Sequence, residues 1–575
     1  MKLFQSLALV VMSMQQAQVD ACTAIAVTRA ASADNSTLIA HTDDAGGGAA
    51  DLRLVRRAVY NFNGGYPRVV VPDRGVHYQP VNDPEIGKMQ EYSTPLGYIP
   101  QVDHTYAYFD QDYGMMNETV GWSLDVPGGK NLFGIAELTK VALERCSTAR
   151  CAVDTMGTLA EKYGFYSEDS GDMAKPDYGD SAEALVVGDK LGENNAGAVW
   201  AAQRVPDGHV TVIANGFTIR EIDLSQPDWF MASPNVLSLA EEMGWWDPKG
   251  DKPFDFTAAY GFADKDAIGP LYTGRRVWRV FDVLAPSLQL DARLGSFSQY
   301  ATYPFSVKPD RHVETFQIMD LLRDHYEGTS YDMTKGLAAG PFGSPVRWSG
   351  SSGGVVGGWE RPISMYRTLF AFVFRAAVTR DPTLLVESLG ICPGIVFAGR
   401  QSKFHPQSAW WAFNFVNNWS LLRYNAMSVD VRDKIDTLQK AAFSLRKNME
   451  KEAHEARHSG AETQLVAASK ARVMNLLNSG IPVVAAPWTL IAKYSDGYMT
   501  TGEAPEQQAS IGYPAWWLQA SEFATWPGDT FKPKASMRKK LVGVDSQTAQ
   551  VFVRQAAMAN SVEKESRRAG YNAVA

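Results

Sequence analysis

The stretch that most constrains the fold is residues 23–42. Residues 23–28 and 36–42 are two runs rich in Ala, Val, Ile and Thr, separated by the turn-forming cluster Ser32-Ala33-Asp34-Asn35. β-branched side chains suit a pleated surface, and a short polar turn between two such runs predicts an antiparallel hairpin. A chain that opens this way needs layers to cover its sheet. Ile135, Leu138 and Ala142 recur at helical spacing, as do Val153, Met156, Leu159, Ala160 and Tyr163, and the second run stops at Gly164. That spacing predicts a helical pair. Apolar or alternating runs at 184–187, 197–202 and 209–214 predict strands of a second sheet. Residues 51–114, rich in Pro, Gly and Tyr, read as short strands such as 68–71 joined by long loops. Val431, Ile435, Leu438, Ala442 and Leu445 predict a long exposed helix running to about His458. Strands and helices in separate runs define an α+β chain.

Composition narrows the function. The 575 residues are 45% hydrophobic and 21% charged, in the range of a chain with a large core. A net charge of −8 argues against binding a phosphate backbone, which demands a basic surface, so no nucleic-acid partner is expected. Beyond the first twenty residues nothing approaches the roughly 18 apolar residues of a membrane span. The start is different. Lys2, the apolar run 3–14 and Val19-Asp20-Ala21 have the pattern of a signal peptide cut before Cys22, which predicts a secreted or lumenal protein, endomembrane or lysosome-like. Export permits disulfides among Cys22, Cys146, Cys151 and Cys392. Cys146 and Cys151 are near enough at a helix junction to be bridged or not, and Cys392 reads as a buried thiol. Export also gives meaning to the sequons at Asn35, Asn117 and Asn418.

A thiol that begins a mature chain has its own α-amine within reach, and that amine, with a reference pKa of roughly 7.7 to 8.0, can take the thiol proton near neutrality. The residues after Cys22 extend this idea. Cys22-Thr23-Ala24-Ile25 and the run from Asn35 to His41-Thr42-Asp43-Asp44 resemble the opening of the N-terminal-nucleophile cysteine dipeptidases, the dipeptidase A and secernin group related to penicillin V acylase and bile salt hydrolase. The likeness continues in order through Gly114-Met115-Met116-Asn117-Glu118, Leu143-Glu144-Arg145, Glu161-Lys162-Tyr163-Gly164, the block from Ala214-Asn215-Gly216 to Arg220, Arg275-Arg276-Val277-Trp278-Arg279, Trp359-Glu360-Arg361-Pro362 and Ser408-Ala409-Trp410-Trp411, covering about residues 22–432.

The resemblance implies a four-layer αββα sandwich of the N-terminal-nucleophile hydrolase type, with a helical C-terminal elaboration. It implies cleavage of dipeptides through a thioester on Cys22, with neither metal nor organic cofactor. Asp44 matches the acidic residue that orients the α-amine. Asn117 and Asn215 match polar positions near the oxyanion and the nucleophile. Arg276 matches an active-site arginine, with Arg275 and Arg279 close enough to leave the register open. His41 stands where the family begins its motif with Arg, so substrate binding there is conditional on pH. Asn117 lies in a sequon that a buried catalytic amide would leave unused. The same machinery serves amidases acting on N-acyl conjugates, and an inactive secreted binding protein is a further alternative.

One competing motif is His454-Glu455-Ala456-Arg457-His458, whose spacing puts two imidazoles on one helical face as zinc ligands. Its surroundings are Lys, Glu, Arg and Ala, without an obvious third ligand, so a charged helix face is expected instead. The chain is thus read as a signal peptide at 1–21, a hydrolase unit at 22–425 and a mostly helical extension at 426–575 packed on the same unit.

Overall fold

The hairpin forms and becomes the centre of a larger sheet. The computed structural model describes residues 23–44, 54–57, 59–62, 67–70, 96–106, 108–111, 132–165, 184–189, 196–197, 201–260, 270–294, 303–347, 359–366, 368, 370–376, 389–390, 409–458, 490–491, 493–494, 499–501, 508–510 and 513–520. Strand β1 (Thr23–Val27) pairs antiparallel with β2 (Thr37–Asp43), Thr23 opposite Thr42 and Val27 opposite Leu38. Asp34 closes the turn by accepting from Ser32 Oγ (2.8 Å), Ser36 N (3.1 Å) and Ser36 Oγ (2.5 Å). Asn35 takes a left-handed φ of 57°, which Asn tolerates better than bulkier residues.

Outside β1 lies β3 (Val210–Ile213), and outside β2 lies β4 (Phe370–Ala376), followed by the short β5 (Leu389–Gly390). The order β3-β1-β2-β4-β5 is antiparallel throughout. This corrects the expectation that residues 209–214 belong to a second sheet: periodicity predicts a strand but not its neighbour. The other two runs do lie apart from this sheet. Ala184–Leu185 pairs with Ala196–Gly197, and Ala201–Gln203 pairs with Phe230–Ala232.

The helical pair is α1 (Ile135–Arg145) and α2 (Ala149–Tyr163). Thr148 caps α2 by accepting from Cys151 N at 3.2 Å, and Gly164 ends it at φ 83°, a conformation glycine adopts without strain. Cys146 and Cys151 are joined by a disulfide across the junction, their Cα atoms 5.5 Å apart. The pair buries Leu138, Val141, Val153 and Met156 against Val70, Ile99 and Phe133.

Side chains alternate across the main sheet. Ile25, Val27, Leu38, Ala40, Val210, Val212 and Val373 share one face and pack against α3 (Arg275–Leu284) and α4 (Thr315–Leu321) through Val277, Val280, Phe281, Leu284 and Ile318. Each large apolar side chain removed from water here contributes about 1.5–3 kcal/mol. The opposite face carries Ala24, Ile39, His41, Phe372 and Phe374, all of them half-buried.

Further on, α5 (Ala409–Ser420) leads towards the 35-residue α6 (Tyr424–His458). This helix is less exposed than its charge pattern predicts. Met427 and Gln439 are buried, Phe443 stacks on Phe316 of α4 at 4.4 Å, and Gln439 reaches Met319. No helix among the described residues is long and apolar enough to cross a membrane.

Candidate active site

Three of the candidate side chains, those of Asp44, Asn215 and Arg276, gather where β1 begins, at Thr23, the residue after Cys22. Cys22 itself lies outside the described residues, as do Asn117 and Cys392. Thr23 is fully buried and fixed by two different groups. Its backbone N–H donates to Thr42 Oγ1 at 3.0 Å, and its hydroxyl oxygen accepts from an Arg276 guanidinium nitrogen at 2.8 Å. Because Thr23 N belongs to the peptide bond following Cys22, these contacts fix the peptide plane through which residue 22 joins the strand.

Thr42 and Asp44 share the face of Thr23 because β2 alternates with period two. Thr42 Oγ1 donates to Asp44 Oδ2 at 3.2 Å. The same carboxylate oxygen accepts from Arg361, and Oδ1 accepts from Thr368 Oγ1. Asp44 is thus a buried carboxylate with a buried cation beside it, which offsets the cost of taking either charge out of water.

Arg276 enters from the first turn of α3, on the stripe that also presents Val277, Val280 and Phe281 to the sheet. Besides Thr23 it donates to Tyr272 O (2.8 Å), Ala214 O (3.1 Å) and Asn215 Oδ1 (2.8 Å). Burial, together with the like charge of Arg361, pulls its pKa down to about 9 against the opposing influence of Tyr272, Tyr326 and Asp44. The group therefore remains a cation at neutral pH. Since a guanidinium only donates, Asn215 must turn its carbonyl oxygen to Arg276 and its amide NH2 the other way. Asn215 sits at φ 54° just past β3, with its own carbonyl held by Thr273 Oγ1 at 3.3 Å. The next residue is Gly216, where a Cβ would lie in a tight 3.0 Å contact with Thr273 Cγ2.

The structure separates the three arginines. Arg276 alone of them reaches Thr23, while Arg275 pairs with Glu360 (3.6 Å) and lies over the Tyr331 ring (3.6 Å). Arg279 binds Asp324 at 2.7 Å and Glu327 O at 2.9 Å. His41 is on the other face of the sheet, opposite Ala24, its ring 5.6 Å from Phe372. Burial pulls its pKa below the ordinary 6.5, with Asp43 and Asp44 pulling the opposite way. Arg276 is therefore brought onto Thr23 directly, Asn215 through Arg276 and Asp44 through Thr42, and His41 is close in sequence but on the opposite face.

Sequence reasoning assigned no role to Thr23, Thr42, Tyr272, Arg361 or Thr368. Thr42 had a signal, being two residues from Asp44 on a strand. Arg361 stood in a block that resembles the family, yet nothing in its local sequence marks it as a partner of Asp44. Among the described residues no three His, Cys, Asp or Glu side chains gather as metal ligands, and the side chains of His454 and His458 lie outside the described residues.

The main antiparallel sheet thus has Asp44, Asn215 and Arg276 linked in one buried hydrogen-bond network at the start of its strand β1. The chain belongs to Peptidase family C69, which matches residues 21–384. It is 26% identical over 339 residues to a probable dipeptidase of Salmonella dublin, covering 57% of this chain and 71% of that protein. It is 25% identical over 393 residues to a dipeptidase of Bifidobacterium longum, covering 61% and 63% respectively. A probable dipeptidase of Latilactobacillus sakei is 27% identical over 327 residues, covering 55% and 62%. The chain thus spans a little under two thirds of the length of the last two.

Proposed function

We propose that this peptidase is a cysteine dipeptidase in which Cys22, exposed by cleavage after Ala21, is both nucleophile and, through its α-amine, base. The observation that carries the reading is the clamp on Thr23, the residue next to Cys22: Arg276 donates to its hydroxyl and holds Asn215, while Thr42 accepts from its N–H and donates to Asp44. In the reaction the thiol proton passes to the α-amine as sulfur bonds to the peptide carbon. The amide NH2 of Asn215, with that of Asn117, donates to the developing oxyanion. Collapse expels the second amino acid, which takes its proton from the ammonium, and water then cleaves the thioester. Asp44 orients the amine.

The dipeptide preference rests on the names of the relatives. The four-layer sandwich is supported by the main sheet, which has helices on one face and a largely apolar second face suited to another sheet. Export to an oxidising compartment is supported by the Cys146–Cys151 disulfide.

The test compares a recombinant form beginning at Cys22 with one carrying a single extra residue that cannot be trimmed, alongside Cys22→Ala. The form beginning at Cys22 is expected to hydrolyse dipeptides, and the other two to be inactive although folded. Equal rates for the first two would remove the mechanism, since an amide nitrogen cannot act as the base.

A further inference from the structure

The clamp has a second tier. Arg361 is buried, and both ends of its backbone are fixed: its N–H donates to Leu271 O at 3.3 Å, and its carbonyl accepts from the Tyr326 hydroxyl. Its guanidinium is 5.0 Å from the centre of the Tyr272 ring, and that of Arg276 is 5.2 Å from the same ring. One aromatic ring therefore lies beside two like charges, an arrangement in which its π-electrons offset part of their repulsion.

The two arginines flanking Arg276 on α3 hold the frame around Arg361. Arg275 pairs with Glu360, the residue before it. Arg279 pairs with Asp324, whose carboxylate also accepts from Tyr326 N at 2.7 Å, and Tyr326 in turn holds the Arg361 carbonyl. Three arginines in five residues thus divide the work, with one entering the site and two supporting the cation that faces it from the other side.

We infer that Arg361, assisted by Thr368, is a positioning residue of this site: it fixes the Asp44 carboxylate and, through Thr42, the peptide N–H of Thr23. The path is continuous, from Arg361 to Asp44 Oδ2, from that oxygen to Thr42 Oγ1 (3.2 Å), and from Thr42 Oγ1 to Thr23 N (3.0 Å). A buried ion pair is a poor device for stability alone, because well-packed apolar residues of similar volume are often as good or better. A pair that fixes where a carboxylate points has a use in a site whose rate depends on sub-ångström placement. This inference rests on the proposed role of Asp44 beside the Cys22 amine.

The test uses the form beginning at Cys22, first on a library of dipeptides to find the one cleaved fastest and then kinetically on that dipeptide. Arg361→Met is expected to lower kcat by about 100-fold with KM changed by less than about threefold, as for lost alignment rather than lost binding. Arg361→Lys, which keeps the charge, is expected to recover about tenfold of that loss. Asp44→Asn combined with Arg361→Met is expected to be no slower than Asp44→Asn alone, because residues acting as one unit are not additive. A fall of less than about tenfold for Arg361→Met, or losses that multiply in the double variant, overturns the positioning role. If Arg361→Met gives no cooperative melt, Thr368→Val decides: a fall in kcat of about threefold or more at unchanged KM supports the clamp, and a smaller one overturns it. Cys22→Ala separates this inference from the reading beneath it. Activity in Cys22→Ala would remove the nucleophile, whereas an inactive Cys22→Ala beside an active Arg361→Met removes only the role of Arg361.

Discussion

The β1–β2 hairpin has an aspartate at each end, and each is paired with an arginine from the same later part of the chain. At the turn Asp34 meets Arg375 at 2.5 Å, and past the open end Asp44 meets Arg361. The pairs differ in their solvent. The Asp34 side chain is 39% exposed, whereas Asp44 and Arg361 are at 0% and 3%. At the turn water screens the charges, and hydrogen bonds from Ser32 and Ser36 would hold the loop with a neutral acceptor as well. At the open end the pair carries a desolvation cost that its attraction only offsets, and what it gains there is a carboxylate in a fixed place. Similar pairs on one hairpin thus serve closure at one end and alignment at the other.

The sharpest way to break this comparison is to neutralise each aspartate. Asp44→Asn is expected to cut dipeptide hydrolysis by about 100-fold or more, and Asp34→Asn to leave it within about twofold. Equal losses would make both pairs merely structural.

A smaller effect separates the arginines of α3. Arg276→Lys replaces a planar fork serving four acceptors by a single ammonium, and a loss of about 30-fold in kcat/KM is expected. Arg275→Lys and Arg279→Lys are expected to cost less than about threefold in rate, with Arg279→Lys showing instead as a lower Tm because it binds Asp324. A rate loss for Arg279→Lys equal to that of Arg276→Lys would erase the distinction.

Much of this was legible in the sequence where a local rule applied. The hairpin followed from two β-branched runs and a polar turn, and α2 ended at Gly164 because a helix needs a residue tolerant of positive φ there. Asp44, Asn215 and Arg276 were named through motif resemblance, and the structure links them through Thr42 and Thr23. What was not legible is tertiary partnership. Residues 209–214 have the same pattern whether they edge the main sheet or build another, and only pairing with β1 decides. Arg361 and Thr368 lie more than 300 residues from Asp44, so no spacing rule connects them. The buried flank of α6 escaped because Gln439 and Phe443 look unremarkable in a run of charges, and their packing depends on what α4 presents to them.

Between the two ends, on the opposite face, His41 gives a smaller effect with a definite sign. Its folded pKa lies below 6.5, so between the two values the unfolded chain binds the extra proton and stability falls as the pH drops below 6.5. The penalty is at most about 1.4 kcal/mol per pH unit, and less here because Asp43 and Asp44 oppose it. His41→Gln removes this contribution. The wild type is therefore expected to lose Tm relative to His41→Gln as the pH is lowered from 7.5 to about 5.5, and parallel Tm curves would show that burial does not govern His41. Activity should survive His41→Arg, with any dependence on pH in that range flattened.

The smallest effect lies at the turn. Burial alone would raise the Asp34 carboxyl, but the Ser36 hydrogen bond and the Arg375 charge outweigh it and hold the pKa at about 2, against 3.8 ordinarily. A depressed carboxylate contributes stability that is complete above 3.8 and is lost as the pH falls through about 2. Because Asp34 is well exposed, that contribution is about 1 kcal/mol or less, and salt reduces it. Asp34→Asn keeps a carbonyl oxygen for Ser32 and Ser36 while removing the charge, so it isolates the ion pair from the turn. At pH 6 it is expected to lower Tm by about 1–2 °C. That gap should narrow in about 1 M salt, shrink as the pH falls below about 4 and close near pH 2, while dipeptide hydrolysis at neutral pH stays at the wild-type rate. A gap that persisted in acid would show that the introduced amide disturbs the serine bonds of the turn, and a fall in hydrolysis would mean that the turn end, like the open end, takes part in alignment.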